Sequence, residues 1–159
     1  MFQLIFVALA LLGATLQLAA SPSSRRDNHA IVGTYLMWLF FVYVGLMGLV
    51  AAYAHIFRPE QTSASIGWAM SPYEHEVAMA DLAIGVLGVL CVKFRGNFWL
   101  ATAIGNAVWL LGDAFGHLKQ LREFNDHAAN NGGLFLVLEF TVPVVILAMT
   151  LWHRAKRTG

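Results

Sequence analysis

The chain has 159 residues, of which 58% are hydrophobic and only 12% are charged, and its mean hydropathy is +0.64. A soluble domain carries about 25% charged residues, so this composition argues against a soluble protein. The formal net charge of +1 excludes the strongly basic surface typical of nucleic-acid-binding proteins. Cys91 is the only cysteine, which excludes an intramolecular disulfide and a thiolate metal cage.

Five apolar segments, taken in chain order, meet or approach the length of about 20 residues that a transmembrane helix needs. They cover residues 2–20, 31–57, 76–94, 98–118 and 133–152. We therefore predict a single transmembrane domain over residues 1–159, an all-α integral membrane bundle of five helices. In this prediction the last four helices form a four-helix core, and the N-terminal helix is peripheral.

The first segment has a competing interpretation, which is a cleaved signal peptide. No Lys or Arg precedes its apolar run. A cleavage after Ala20 would place Leu18 where signal peptides favour a small residue. We therefore expect the segment to be retained as a helix.

The distribution of basic residues predicts the orientation in an inner or plasma membrane. With five spans, the first and third loops share a side with the C-terminus, and these segments hold seven of the ten basic residues. The seven are Arg25, Arg26, Lys93, Arg95, Arg154, Lys156 and Arg157. By the positive-inside rule the C-terminus is cytoplasmic and the N-terminus lies outside.

Ionisable residues within the predicted spans gather in the outer half of the membrane. An ionisable side chain at the bilayer centre costs about 2.5–3.5 kcal/mol on insertion scales, so such groups normally face the bundle interior and pair there. Asn106, Asp113 and His117 are spaced i, i+7 and i+11, which places them on one stripe of a helix. The i, i+4 pair Asp113 and His117 has the spacing at which two side chains can grip one ion.

These residues predict an outward-facing pocket of His and carboxylate groups. The predicted metal ligands are Glu76, Asp113, His117 and Glu139, and the predicted ligand-binding or proton-bearing residues are Asp81, Asn106 and His55. Mixed imidazole and carboxylate ligands suit iron, zinc, manganese or copper. The alternative is a hydrogen-bonded network that only fixes helix packing. No catalytic residue is identified, and the sequence leaves open whether the protein is an enzyme.

Three functions follow from this pocket and from the small size of the chain. The first is a membrane protein that binds a metal or small ligand, as an oxidoreductase or an accessory subunit of one. The second is a structural or interaction subunit of a larger membrane complex or homo-oligomer. The third is a small-solute or proton transporter, although the sequence has no inverted repeat. All three have the lipid bilayer as partner, and none involves nucleic acid.

The stretch IGWAMSPYEHEVAMADLAIGVLGVL, followed by a helix ending in GDAFGHL, resembles a bacterial family of small multi-spanning proteins classed as a domain of unknown function. The family pattern has a Pro-aromatic-x-x-Glu start, a helix rich in small residues with the motif Ala-Asn-Leu-Ala-x-Gly, and a later Gly-x-x-His helix end. The matching positions are Pro72, Tyr73, Glu76, Asp81, Leu82, Ala83, Gly85, Gly116 and His117. The family has Asn where this chain has Asp81, which implies a supporting role for Asp81 rather than direct metal ligation. A looser likeness to DoxX-like four-helix membrane proteins is architectural.

Overall fold

The computed structural model describes residues 2–22 and 27–156, and the regular elements in that part of the chain are helices. In chain order they are α1 (Phe2–Ala20), α2 (Asn28–Phe57), α3 (Pro59–Ser65), α4 (Tyr73–Leu90), α5 (Asn97–Glu123) and α6 (Gly133–Ala155). The all-α prediction is confirmed. Arg25, Arg26 and Arg157, which contribute to the predicted orientation, lie outside the described residues.

Four of these helices, α1, α2, α5 and α6, are long and apolar enough to cross a bilayer. This property indicates a membrane protein, as the composition predicts. The remaining predicted span, residues 76–94, corresponds to α4, which has 18 residues and carries Glu74, Glu76 and Asp81. Because charged residues are costly within a bilayer, α4 is a weaker candidate than the other four, and the count of five spans is not confirmed.

Helix α2 lies at the centre of the bundle and packs on both sides. α1 packs along its N-terminal part, and α4 packs along its C-terminal part. α5 and α6 form a second closely packed pair, and α6 also contacts α1 and the start of α2. Leu36, Phe40, Tyr43 and Ile146 are fully buried where these helices meet.

The middle of α2 departs from α-helical geometry. Residues Leu39–Leu46 form a π-helix, whose hydrogen bonds span five residues instead of four. Its wider turn carries Phe40, Tyr43 and Gly45 into the bundle interior. The segment connects the two parts of α2 that pack against α1 and α4, so it sets which α2 side chains each neighbour meets.

The contact between α2 and α4 is a contact between backbones, and it depends on glycine. Gly45 and Gly48 of α2 face Gly85 and Gly88 of α4. A Cβ atom on Gly88 would lie 2.4 Å from the Gly45 nitrogen, and one on Gly48 would lie 2.9 Å from the Gly85 Cα. The two helices can approach this closely only because these positions carry no side chain.

Replacing Gly88 with Ala is expected to lower the free energy of unfolding by about 1–3 kcal/mol, the usual range for overpacking a tight interior. Thermal unfolding of the detergent-solubilised protein, followed by circular dichroism, measures the change. Gly112→Ala is the matched control, since a Cβ there has no neighbouring atom within 4 Å. It should equal or exceed wild-type stability because Ala favours helix over Gly. Equal melting temperatures for the two variants would contradict the glycine contact.

Candidate functional site

Three ionisable side chains converge between α5 and α6. Asp113 and His117 come from successive turns of α5, and Glu139 comes from the second turn of α6. Each offers one ligand atom, and these atoms all lie within 4.8 Å of one another. His117 is 3% exposed and Glu139 is 1% exposed, while Asp113 is half-buried. The i, i+4 spacing on α5 therefore aims two side chains at a third on the neighbouring helix.

The Glu139 carboxylate is supported by residues from the N-terminal half of the chain. Its Oε1 accepts a hydrogen bond of 3.2 Å from Gln3 Nε2 of α1. The Gln3 Oε1 in turn accepts a 3.4 Å hydrogen bond from the hydroxyl of Tyr43, in the π-helix. The second carboxylate oxygen, Oε2, is buried and makes no hydrogen bond to the described residues. It lies 3.9 Å from His117 Nε2, so Glu139 has one anchored oxygen and one oxygen open to a ligand.

The protonation pattern of His117 follows from its neighbour Asn131. The Asn131 side chain has its Oδ1 3.2 Å from Trp68 Nε1, an atom that can only donate. Its Nδ2 points at the carbonyl oxygens of Asp126, at 2.9 Å, and His117, at 3.4 Å, which can only accept. These contacts fix the amide orientation, so the Oδ1 must accept from His117 Nδ1 at 2.8 Å.

A neutral His117 with its proton on Nδ1 presents a lone pair at Nε2, toward Glu139. This is the arrangement of a metal-binding histidine, whose other ring nitrogen donates to a fixed acceptor. Aromatic rings limit the motion of the imidazole. Trp68 lies 5.2 Å from it and Phe135 meets it edge-on at 5.3 Å, both measured between ring centroids.

A second cluster lies beside the first, around His55 at the end of α2. His55 Nδ1 is 2.6 Å from a carboxylate oxygen of Glu74, and His55 Nε2 is 3.9 Å from Asp81 Oδ2. Ser63 donates to the other Glu74 oxygen, and Trp109 Nε1 donates to Asp81 Oδ1 at 2.9 Å. The i, i+7 spacing of Glu74 and Asp81 places both on the face of α4 that meets His55.

Asp113 connects the two clusters electrostatically. It interacts with His117 and Glu139 on one side, and with His55 and Asp81 on the other. The two clusters therefore form one charged region that contains two histidines. A proton or cation bound in either cluster changes the field at the other.

The structure does not bring every predicted residue to this region. Glu76 lies on the exposed surface of the first turn of α4, apart from the three convergent groups. Asn106 is buried on α5, about 10 Å along the helix from Asp113 at 1.5 Å per residue. Its Nδ2 makes no hydrogen bond to the described residues.

Sequence reasoning missed four residues that support the site: Gln3, Tyr43, Trp68 and Asn131. Gln3 had a detectable signal, because it is a polar residue in an otherwise apolar stretch of a predicted span. Asn131 had none, since it lies in an Asn-Asn-Gly-Gly segment that is typical of an ordinary turn.

A cavity of about 350 Å³ adjoins the site. It lies between the start of α1 and the segment leading into α6, and its lining includes Gln3, His127, Gly132, Phe135 and Leu138. Two residues that line the cavity also contact the site, because Gln3 donates a hydrogen bond to Glu139 and the Phe135 ring packs against His117. The side chains of Gln3 and Phe135 therefore lie between this cavity and the convergent groups.

The chain belongs to a family of unknown function, DUF6790, whose profile matches residues 1–159. This match confirms the predicted resemblance to a family classed as a domain of unknown function. No curated protein and no solved structure matches the chain. The functional argument therefore depends on the geometry of the site.

Replacing Gln3 with Leu is expected to lower the free energy of unfolding by about 1–3 kcal/mol, because Glu139 Oε1 and the Tyr43 hydroxyl lose their partner in a buried setting. Gln17→Leu is the matched control on the same helix. Gln17 is exposed, although it accepts a 2.7 Å hydrogen bond from Trp38 Nε1, so its loss should cost less. Chemical or thermal unfolding in detergent measures both variants. If Gln17→Leu lowered the free energy of unfolding as much as Gln3→Leu, the buried hydrogen bond to Glu139 would stabilise the protein no more than an exposed one.

Proposed function

We propose that Asp113, His117 and Glu139 bind a divalent transition-metal ion in a helical membrane protein. The observation that carries the proposal is the convergence of three ligand atoms within 4.8 Å of one another. The fixed orientation of His117 and the open oxygen of Glu139 support it. In both cases the ligand atom is already oriented and available for coordination before an ion binds.

The charge balance of the site favours a cation. With neutral His117, ionising both Asp113 and Glu139 would place two negative charges in a largely buried site. Burying an unpaired charge is costly, whereas one divalent ion neutralises both carboxylates. The ion also supplies Glu139 Oε2 with the partner that the described residues do not provide.

The donor set narrows the class of ion. One imidazole nitrogen and two carboxylate groups suit iron, manganese, zinc or copper(II), and the site contains no thiolate. Three protein ligands leave coordination positions for water or a small molecule, as in catalytic metal sites. The cavity beside Gln3 and Phe135 provides the approach. With iron or manganese bound, the protein would be an oxidoreductase or an accessory subunit of one.

His55, Glu74 and Asp81 act in this proposal as a store of protons beside the metal. His55 lies between the two carboxylates and interacts electrostatically with Asp113. A proton held between His55 and its carboxylate neighbours can compensate a change of charge at the metal. The cluster thus belongs to the mechanism as a proton-bearing group and not as a ligand.

We further propose that the metal site faces outward from an inner or plasma membrane, with the C-terminus in the cytoplasm. The basic residues supply the support. Lys93, Arg95, Arg154 and Lys156 all lie at the end of the bundle opposite Glu139 and His117. Cytoplasmic loops of membrane proteins carry such an excess of Lys and Arg.

A second candidate function is a structural subunit of a larger membrane complex. The observation in its favour is that Gln3 and Glu139 join α1 to α6 through a buried hydrogen bond, which needs no ion. In this case the polar groups only specify how the helices pack. Metal content separates the two candidates.

The test is the metal content of the full-length protein, purified in detergent without chelators and incubated with Mn²⁺, Fe²⁺ or Zn²⁺ before desalting. The proposal predicts about one equivalent of tightly held ion, by mass spectrometry of the digested sample. Asp113→Asn keeps the side-chain shape and should lose most of the ion, because an amide is a weaker ligand than a carboxylate. His117→Ala should abolish binding.

His75→Ala is the matched control, because His75 is exposed on the first turn of α4 and lies outside both clusters. It should bind as much metal as wild type. Full metal retention in folded Asp113→Asn and His117→Ala proteins, or no binding by the wild type, would overturn the metal site. The second outcome would favour the structural role.

A further inference from the structure

The opposite end of the bundle contains a larger cavity, of about 810 Å³. It is enclosed by the end of α1, the start of α2, the segment leading into α5 and the end of α6, and the proposed metal site contributes none of its lining. His153 on α6 is 14 residues beyond Glu139, which corresponds to about 21 Å along a helix. The two sites are therefore separated by most of the bundle's length.

The side chains around this cavity are basic and aromatic. Its lining includes Arg95, Arg154, His29, His153 and Trp99, and no Asp or Glu is among the described residues that line it. Two guanidinium groups therefore line a common space to which the described part of the chain contributes no carboxylate. A cavity of this kind attracts an anion.

Specific contacts hold the aromatic side chains of the cavity in place. Trp99 is 3% exposed, and its Nε1 donates a 2.8 Å hydrogen bond to the Cys91 carbonyl oxygen. The Arg95 guanidinium lies over the Trp99 ring, 5.2 Å from its centroid. The rings of His29 and His153 stack with centroids 3.9 Å apart.

Hydrogen bonds orient the polar groups further. His29 Nε2 lies 3.1 Å from the His153 carbonyl oxygen, which can only accept, so His29 carries its proton on that nitrogen. Arg154 Nη1 donates to Asn97 Oδ1 at 2.5 Å. This bond holds one edge of the guanidinium and leaves further N–H groups for a ligand, since arginine has five.

The position of the cavity identifies the kind of anion. The cavity lies where four candidate spans end or begin, α1 at Ala20, α2 at Asn28, α5 at Asn97 and α6 at Ala155, so it is at the level of the lipid headgroups. By the distribution of basic residues this is the cytoplasmic side, whose leaflet carries anionic lipid. Arginine side chains bind phosphate oxygens through paired N–H groups, and Trp is enriched at membrane interfaces.

We propose that this cavity binds the phosphodiester headgroup of one anionic phospholipid, with Arg95 and Arg154 contacting the phosphate. His29 and His153 line the space beside the phosphate. The acyl chains leave along the apolar outer surfaces of the spans. The inference depends on these helices crossing a membrane, and it does not depend on the metal site.

The test compares lipids in mixed micelles with the full-length protein. Phosphatidylglycerol should raise the melting temperature and remain bound as one molecule per chain in native mass spectrometry. Phosphatidylcholine, which has no net charge, should do neither, and inorganic phosphate at the same concentration should give a much smaller shift. Equal shifts with both lipids, or a full shift with inorganic phosphate alone, would overturn the headgroup site.

Variants at both ends of the bundle make the test specific. Arg95→Ala should reduce the phosphatidylglycerol shift, and since Arg95 is exposed this variant should fold. The double variant Arg95→Ala, Arg154→Ala should abolish the shift. Lys119→Ala with Arg122→Ala removes the same charge at the other end and should keep it. A full shift in Arg95→Ala, or its loss in the Lys119 and Arg122 control, would overturn the assignment.

Discussion

The burial of Glu139 between apolar helices is the constraint on which the candidate site depends. A carboxyl group that is 1% exposed must be given partners, and they come from two other helices. Gln3 of α1 bonds one oxygen, and Asp113 and His117 of α5 converge on the carboxylate. Helix α1, which the sequence predicts to be peripheral, is therefore connected to the site through Gln3.

Close packing of the α2 and α4 backbones places His55 beside the candidate site. The glycines of α2 and α4 allow these helices to touch, and their contact aligns Glu74 and Asp81 with His55. Asp113 then interacts with both histidine clusters. The electrostatics of the site thus depend on how α2 and α4 pack. A shift of α4 would separate His55 from Glu74 and Asp81 even if α5 and α6 stayed in place.

Much of this arrangement could be predicted from the sequence, where regular periodicity applies. Hydropathy located the long helices, and the i, i+4 spacing placed Asp113 and His117 on one face. Three features could not be predicted. The π-helix in α2 has no sequence signature, Asn131 reaches His117 through tertiary folding alone, and α4 lies between the composition of a span and that of a polar helix. Glu76, a predicted ligand, is exposed on the first turn of α4, whereas Glu74 on the same turn contacts His55.

The central claim is that one imidazole and two carboxylates hold a single ion. X-ray absorption at the zinc edge of the zinc-loaded protein tests it most directly, because the spectrum reports the type and number of ligand atoms. The account predicts one imidazole together with oxygen ligands at about 2.0–2.2 Å, the usual range for zinc in proteins. A first shell with no imidazole, or with two or more, would contradict it.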